Sequence, residues 1–373
     1  MAKKKSGKKS KRTGSKQAAP RKTKAPSTSD GPVTLEQATA LVQARRLKRS
    51  ARKAGAKSVS VDPASPGSVG AERMRLARQR RLEENQRIRE YAALMAIMKR
   101  RGVKAAKSGK RRAAGRRPSA AKKAQVIRPL QIFAEGDSWF DYPVPFFGGG
   151  IIPRLQAKLG VPILNLAKAG DEVRYMLGVE QRKGLAKRLE DGCPAGGPWD
   201  VLLFSGGGND IVDHPMALWV KEYRASVPPA MLLRQSRFES ALALVRAGYE
   251  DLIELRDSLS PSTLLVFHCY DFAIPDGRGI CHLGPWLKPT FELRKFPKRA
   301  PMVAVVNSML EQFAAMLASL EQRKGVTFIN GQGTLKHTTK SWHNELHPSK
   351  SGFKKFAQIF YKKLKAQFPD RVV

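Results

Sequence analysis

The chain has 373 residues, with 69 Lys/Arg against 31 Asp/Glu, a formal net charge of +38 and a sequence pI near 10.6. Residues 1–130 hold 38 basic against 7 acidic side chains, a net of +31, and residues 131–373 hold 31 against 24, a net of +7. Only Cys193, Cys269 and Cys281 occur, with no paired spacing, which argues against a disulfide framework and against a zinc site.

Residues 1–70 are Lys, Ala, Ser, Pro and Gly with few large apolar side chains, so burial cannot offset the entropy of ordering them, and a disordered basic tail is expected. The opening "MAKKKSGKKSKRTGSK" has the charge of a signal peptide, but no apolar core follows it, so a cytoplasmic protein is expected. Residues 71–100 contain no Gly or Pro and are rich in helix formers, which predicts a basic helix. Its apolar run "YAALMAIM" (91–98) is too short to span a bilayer. Residues 101–127 return to Lys, Arg and Ala with scattered Gly, a basic linker, and residues 128–373 have the texture of one globular domain.

Within that domain, "PLQIFA" (129–134) reads as a strand ended by the glycine of "EGDS". A helix follows at 151–160, a second strand at 161–167, and "DEVRYM" opens another helix. "WDVLLFSGGGND" (199–210) reads as a buried strand running into a glycine-rich loop. A long helix over 229–258, a strand at 262–270, a helix over 302–322 and a strand at 326–330 come next. The last helix is lined by Phe353, Phe356, Phe360 and Leu364. Short apolar strands alternating with helices predict a parallel sheet covered on both faces, with functional residues at the carboxyl ends of the strands.

Four positions fall at such ends or near the C-terminus. Ser138 follows the first strand in "FAEGDSWFDYP", where a hydroxyl can project above the sheet or merely cap a turn. Gly170 follows the second strand, as a turn glycine or as a bare N–H aimed at an oxyanion. Asn209 in "SGGGND" follows the third, as an Asx-turn or as an amide donor. His347 stands before Pro348 and the last helix, structural or placed as a base.

In this order the pieces resemble the SGNH (GDSL-type) hydrolase family over about residues 128–368: "EGDSW" for its first block, Gly170 for its second, Gly207–Asp210 for its third and Asn344–His347 for its last. The resemblance implies a flavodoxin-like three-layer α/β/α sandwich around five parallel strands, and acyl-ester hydrolysis with neither a metal nor an organic cofactor. It makes Ser138 the nucleophile and His347 the base, and gives the oxyanion to the N–H groups of Ser138 and Gly170 and the Asn209 amide.

The family's triad Asp is Asn344 here. Three routes to a working base are open: Asn344 turns its carbonyl oxygen to the imidazole, Glu345 supplies the carboxylate, or a backbone carbonyl holds the ring. The first and third are favoured, because adjacent positions on a turn point in different directions; a fold without activity is the fourth outcome. His337 and His343 read as loop residues, and Asp137 and Asp210 as braces of their own turns. Trp139, Phe140 and Tyr142 read as core aromatics or as walls of an acyl pocket, and 271–298 as the loop that forms or covers such a pocket. The Cys269/His268 and Cys281/His282 pairs lack metal-site spacing. The substrate stays open among lipid, acetylated carbohydrate, peptidoglycan O-acetyl and thioester. The competing function is non-specific polyanion binding by residues 1–125, whose deletion is expected to leave esterase activity intact.

Overall fold

The computed structural model describes residues 32–43, 69–103, 128–142, 149–280 and 283–372. Most of the expected tail and linker, together with Cys281 and His282, lies outside the described residues.

Five strands form one parallel sheet in the order β2-β1-β3-β4-β5: β1 Ile132–Gly136, β2 Ile163–Asn165, β3 Val201–Ser205, β4 Leu264–His268 and β5 Val326–Ile329. The central strand β3, "VLLFS", is buried at every position, as a strand covered on both faces must be. Helices α3 (Ile151–Leu159) and α10 (Lys350–Gln367) pack together on one side. On the other lie α5 (Val179–Asp191), α7 (Gln235–Leu259) and α9 (Arg299–Ser319), which with the sheet make a three-layer α/β/α sandwich. α9 is the one helix among the described residues long and apolar enough to cross a membrane; it buries Met302, Val305, Val306, Met309 and Phe313 in the core.

Several boundaries shift by a few residues from the sequence reading, and two of them have local reasons. β1 does end at the glycine, but Gly136 is itself its last residue, still paired with Ser205 of β3. The helix expected from 229 starts at Gln235, since Pro228 and Pro229 make a short 3-10 turn, Pro229–Leu232, and break the backbone path before it.

Within the span read as a tail, residues 35–43 form a helix, α1, and Val33 pairs in parallel with Val103. The long helix α2 (Val69–Arg101) packs on the β2 edge of the sheet. Its Tyr91, Met95, Ile97 and Met98 are buried in the same core as β1 and β3, and the Tyr91 ring lies 5.5 Å from that of Trp199.

Candidate active site

The turn after β1 carries Ser138, and it is built on a close approach of β1 to β3. A Cβ on Gly136, at φ +155, would sit 2.5 Å from the Ser205 carbonyl oxygen, so only glycine fits. The next residue, Asp137, donates its N–H to that carbonyl at 3.0 Å. Its buried carboxylate accepts from Trp139 N (2.9 Å), from Ser205 Oγ (2.8 Å) and from the Tyr270 hydroxyl. Burial pushes the Asp137 carboxyl up to about 6. Asp137 therefore braces its turn, as the sequence suggests, and also ties it to β3 and to the chain after β4.

Ser138 Oγ lies 2.7 Å from His347 Nε2, although the two are far apart in the chain. His347 is placed by the start of α10, where Ser349 caps the helix by accepting from Gly352 N at 3.2 Å. On its other side, His347 Nδ1 lies 2.9 Å from Asn344 Oδ1. That oxygen also accepts from the backbone N–H groups of His347 (2.8 Å) and Leu346 (3.0 Å), which fixes the amide with its oxygen toward the imidazole. A carbonyl oxygen only accepts, so Nδ1 carries the ring proton and Nε2 is left to accept from the Ser138 hydroxyl. The Asn344 NH2 donates to the Tyr142 hydroxyl at 3.2 Å, and that hydroxyl lies 2.8 Å from His343 Nδ1. The Tyr142 ring stacks on the His347 imidazole at 4.4 Å. Burial, and next to it His343, pushes His347 down to about 3, so the imidazole is neutral.

The Glu345 carboxylate points away from this line. It is fully buried and accepts four backbone N–H groups, from Gly277 (2.9 Å), Trp286 (2.6 Å), Leu287 (2.7 Å) and Lys288 (3.1 Å). Its role is to gather the described part of the 271–298 loop, including the start of the short helix α8 (Lys288–Leu293).

After β3, Gly207 takes φ +96, and a Cβ there would meet the Phe313 ring at 2.7 Å, so the chain can pass only as glycine. Asn209 follows in the short helix α6 (Gly208–Ile211). Its Nδ2 donates to the Asp171 carbonyl at 2.8 Å, which occupies one amide hydrogen and leaves the other. Asp210 braces a different turn from the one expected: it accepts from Val173 N at 2.9 Å and so holds the start of α4 (Val173–Met176). Gly170 is exposed at φ +85 in the loop after β2, one residue before Asp171.

Ser138, Asn209 and His347 face one cavity, whose walls are mostly apolar (Ile211 and Val212, Leu346, Val306, Met309 and Leu310 of α9, and Ala273 and Leu287 of the 271–298 loop), with Asp137, Tyr270 and Asp271 also on its lining. Gly170 is not among its walls and joins the site through Asp171 and Asn209. Trp139 borders the cavity while its ring packs edge-on against Phe356 at 4.9 Å, and Phe140 is core, stacked on His268. His337 is unconnected to this line, whereas His343 ends it through Tyr142. Sequence reading missed the parts played by Tyr142, Tyr270 and Asp171; an Asp beside the second-block glycine was the one local signal.

A family model described as "GDSL-like Lipase/Acylhydrolase family" matches residues 134–355. No curated protein matches the chain. Similar solved structures include a lipase from a goat rumen metagenome (17% identity, 62% of this chain and 96% of that one, TM-score 0.41). Others are an extracellular lipase of Streptomyces rimosus (16%, 62% and 99%, 0.36) and a family 3 carbohydrate esterase of Clostridium thermocellum (17%, 64% and 99%, 0.36).

Proposed function

This chain belongs to the GDSL-like lipase/acylhydrolase family, and from that we propose a serine esterase that works with an amide in place of the usual triad acid. The observation that carries the reading is the unbroken hydrogen-bonded line Ser138–His347–Asn344, at 2.7 and 2.9 Å.

His347 Nε2 takes the Ser138 proton as Oγ attacks the ester carbonyl. The tetrahedral oxyanion is met by the N–H groups of Ser138 and Gly170 and by the amide hydrogen of Asn209 that Asp171 leaves unused. Collapse passes the proton from His347 to the departing alcohol and leaves an acyl-Ser138 ester. Water, deprotonated by His347, then releases the acid and returns Ser138. Asn344 keeps the proton on Nδ1 throughout, which is the tautomer the step requires. Tyr142 supports that arrangement from behind, since it satisfies the buried NH2 of Asn344 and covers one face of the imidazole.

The apolar walls beside Ser138 support an acyl group that is hydrocarbon, with the alcohol part toward solvent. Hydrolysis of p-nitrophenyl esters of increasing acyl length by the full chain tests this. Turnover that disappears in Ser138→Ala is expected, and equal loss for every chain length beyond acetate would contradict an acyl-binding role for the cavity. The net +31 of residues 1–130 supports a separate property, attachment to polyanions without sequence preference. Binding to duplex DNA that does not weaken steeply between low and moderate salt would speak against it.

A further inference from the structure

We infer that helix α2, which lies N-terminal to the family match, is part of the catalytic assembly, with Arg80 as a positioning residue for the oxyanion loop. The inference rests on the esterase reading above and extends it to a part of the chain that sequence reading set apart.

The loop after β2 bears Gly170 and Asp171 and is closed by one turn of its own, in which Asp171 N donates to Lys168 O at 3.2 Å. Nothing lies within 4 Å of the position a Gly170 Cβ would take, and Gly170 is exposed. Backbone bonds hold the loop's start, from Leu166 N to Ala134 O and from Lys168 N to Gly136 O, both 2.8 Å. Beyond that turn, the side chain of its far end is held from outside. Arg80 grips the Asp171 carboxylate with both prongs, Nη2 to Oδ2 at 2.6 Å and Nη1 to Oδ1 at 3.4 Å, in a pair largely shielded from water. The carbonyl of that same Asp171 accepts from Asn209 Nδ2. Arg80 therefore acts on two oxyanion donors through one residue: it sets the place of the Gly170 N–H next door and of the Asn209 amide.

Two turns further along the same helix face, Arg87 ties the other end of this region. Its Nη1 donates to Asn165 O (2.9 Å) and Ala167 O (3.1 Å), and its Nη2 pairs with Asp141 Oδ2 (3.0 Å) at the end of the Ser138 turn. Beyond it, Tyr91, Met95 and Met98 continue the face into the core, so the charged end is mounted on an apolar foot. The pairing also has an electrostatic side. Arg80 is the cation that acts on two carboxyls near it, Asp171 and Glu135. Burial raises Glu135 to about 8 even with Arg80 lowering it, and burial raises while Arg80 lowers Asp171.

The test compares the full chain with its Arg80→Ala, Arg80→Lys and Arg81→Ala forms, Arg81 being exposed on the same helix. Steady-state hydrolysis of p-nitrophenyl acetate is measured beside hydrogen–deuterium exchange of the amides in 166–172. Arg80→Ala is expected to lower kcat by about ten- to a hundred-fold, the scale of a misplaced catalytic group, with KM within two-fold and faster exchange confined to 166–172. Arg80→Lys restores part of kcat, and Arg81→Ala behaves as wild type. Wild-type kcat and wild-type exchange in Arg80→Ala would overturn the inference and leave the esterase reading standing. An inactive wild type would overturn both. If Arg80→Ala loses its fold altogether, Arg80→Lys decides: a wild-type kcat there overturns the inference, and a reduced kcat with KM unchanged supports it.

Discussion

The candidate site is held from two sides by charges of opposite sign, one fully buried and the other half-buried. On the cavity side, Glu345 gathers the described part of the 271–298 loop by accepting four backbone N–H groups. On the far side, Arg80 and Arg87 gather the loop after β2 through a carboxylate and two carbonyls. The first anchor lies inside the region that matches the family, and the second lies outside it. A carboxylate two residues before His347 thus serves the scaffold, while the neighbouring amide serves the imidazole. The sign of a side chain does not by itself say which of the two tasks it has.

The largest expected effect separates chemistry from both anchors. Ser138→Ala and His347→Ala each lower kcat by at least about a thousand-fold, with the thermal midpoint little changed, as paired kinetics and calorimetry would register. Asn209→Ala follows, with kcat down by about a hundred- to a thousand-fold from one lost oxyanion donor; a change in KM alone would exclude that role.

Asn344→Asp asks whether the amide is a complete substitute. Its carboxylate would sit within hydrogen-bond reach of the imidazole and favour the imidazolium. The acid limb of kcat/KM, set by protonation of His347, lies well below the ordinary 6.5 in wild type because burial disfavours the charged ring. In Asn344→Asp it moves up by about one to three pH units, and kcat rises by about ten-fold, far less than the roughly ten-thousand-fold that separates acid from amide where the amide leaves the wrong tautomer. A fall in kcat would show that the amide is needed as an amide. The same burial makes stability fall with pH between 6.5 and about 3, since the unfolded chain takes up the proton first.

The smallest effect tests the cavity-side anchor. Glu345→Gln turns an acceptor into a donor facing backbone N–H groups, at a cost of about 1–3 kcal/mol, and lowers the thermal midpoint by about 2–4 °C for each kcal/mol. Because Leu287 belongs to both the loop and the cavity wall, KM rises more than kcat falls. An unchanged acid limb in this variant separates Glu345 from the histidine.

Much of this was legible because the strand-end residues depend on short local patterns. Ser138, Asn209 and His347 each follow or precede a regular element that the sequence announces, and Asn344 sits three residues before its histidine. The use of Glu345 was not legible, since its partners at 277 and 286–288 lie about 60 residues earlier. The docking of α2 was hidden for a different reason. Its inward face runs Arg80, Arg87, Tyr91, Met95, Met98 at helical spacing, but three of these five are charged or polar, so no apolar stripe marks it. Only the partners Asp171, Asp141 and the open carbonyls of the β2 loop give those arginines an inside.

The most direct measurement is covalent labelling of the full chain with a fluorophosphonate, followed by peptide mapping. A single phosphonyl adduct on Ser138 that vanishes in His347→Ala and persists in Glu345→Gln is the predicted result. An adduct on another serine, or an unlabelled protein that still hydrolyses p-nitrophenyl esters, would contradict the assignment of Ser138 as nucleophile.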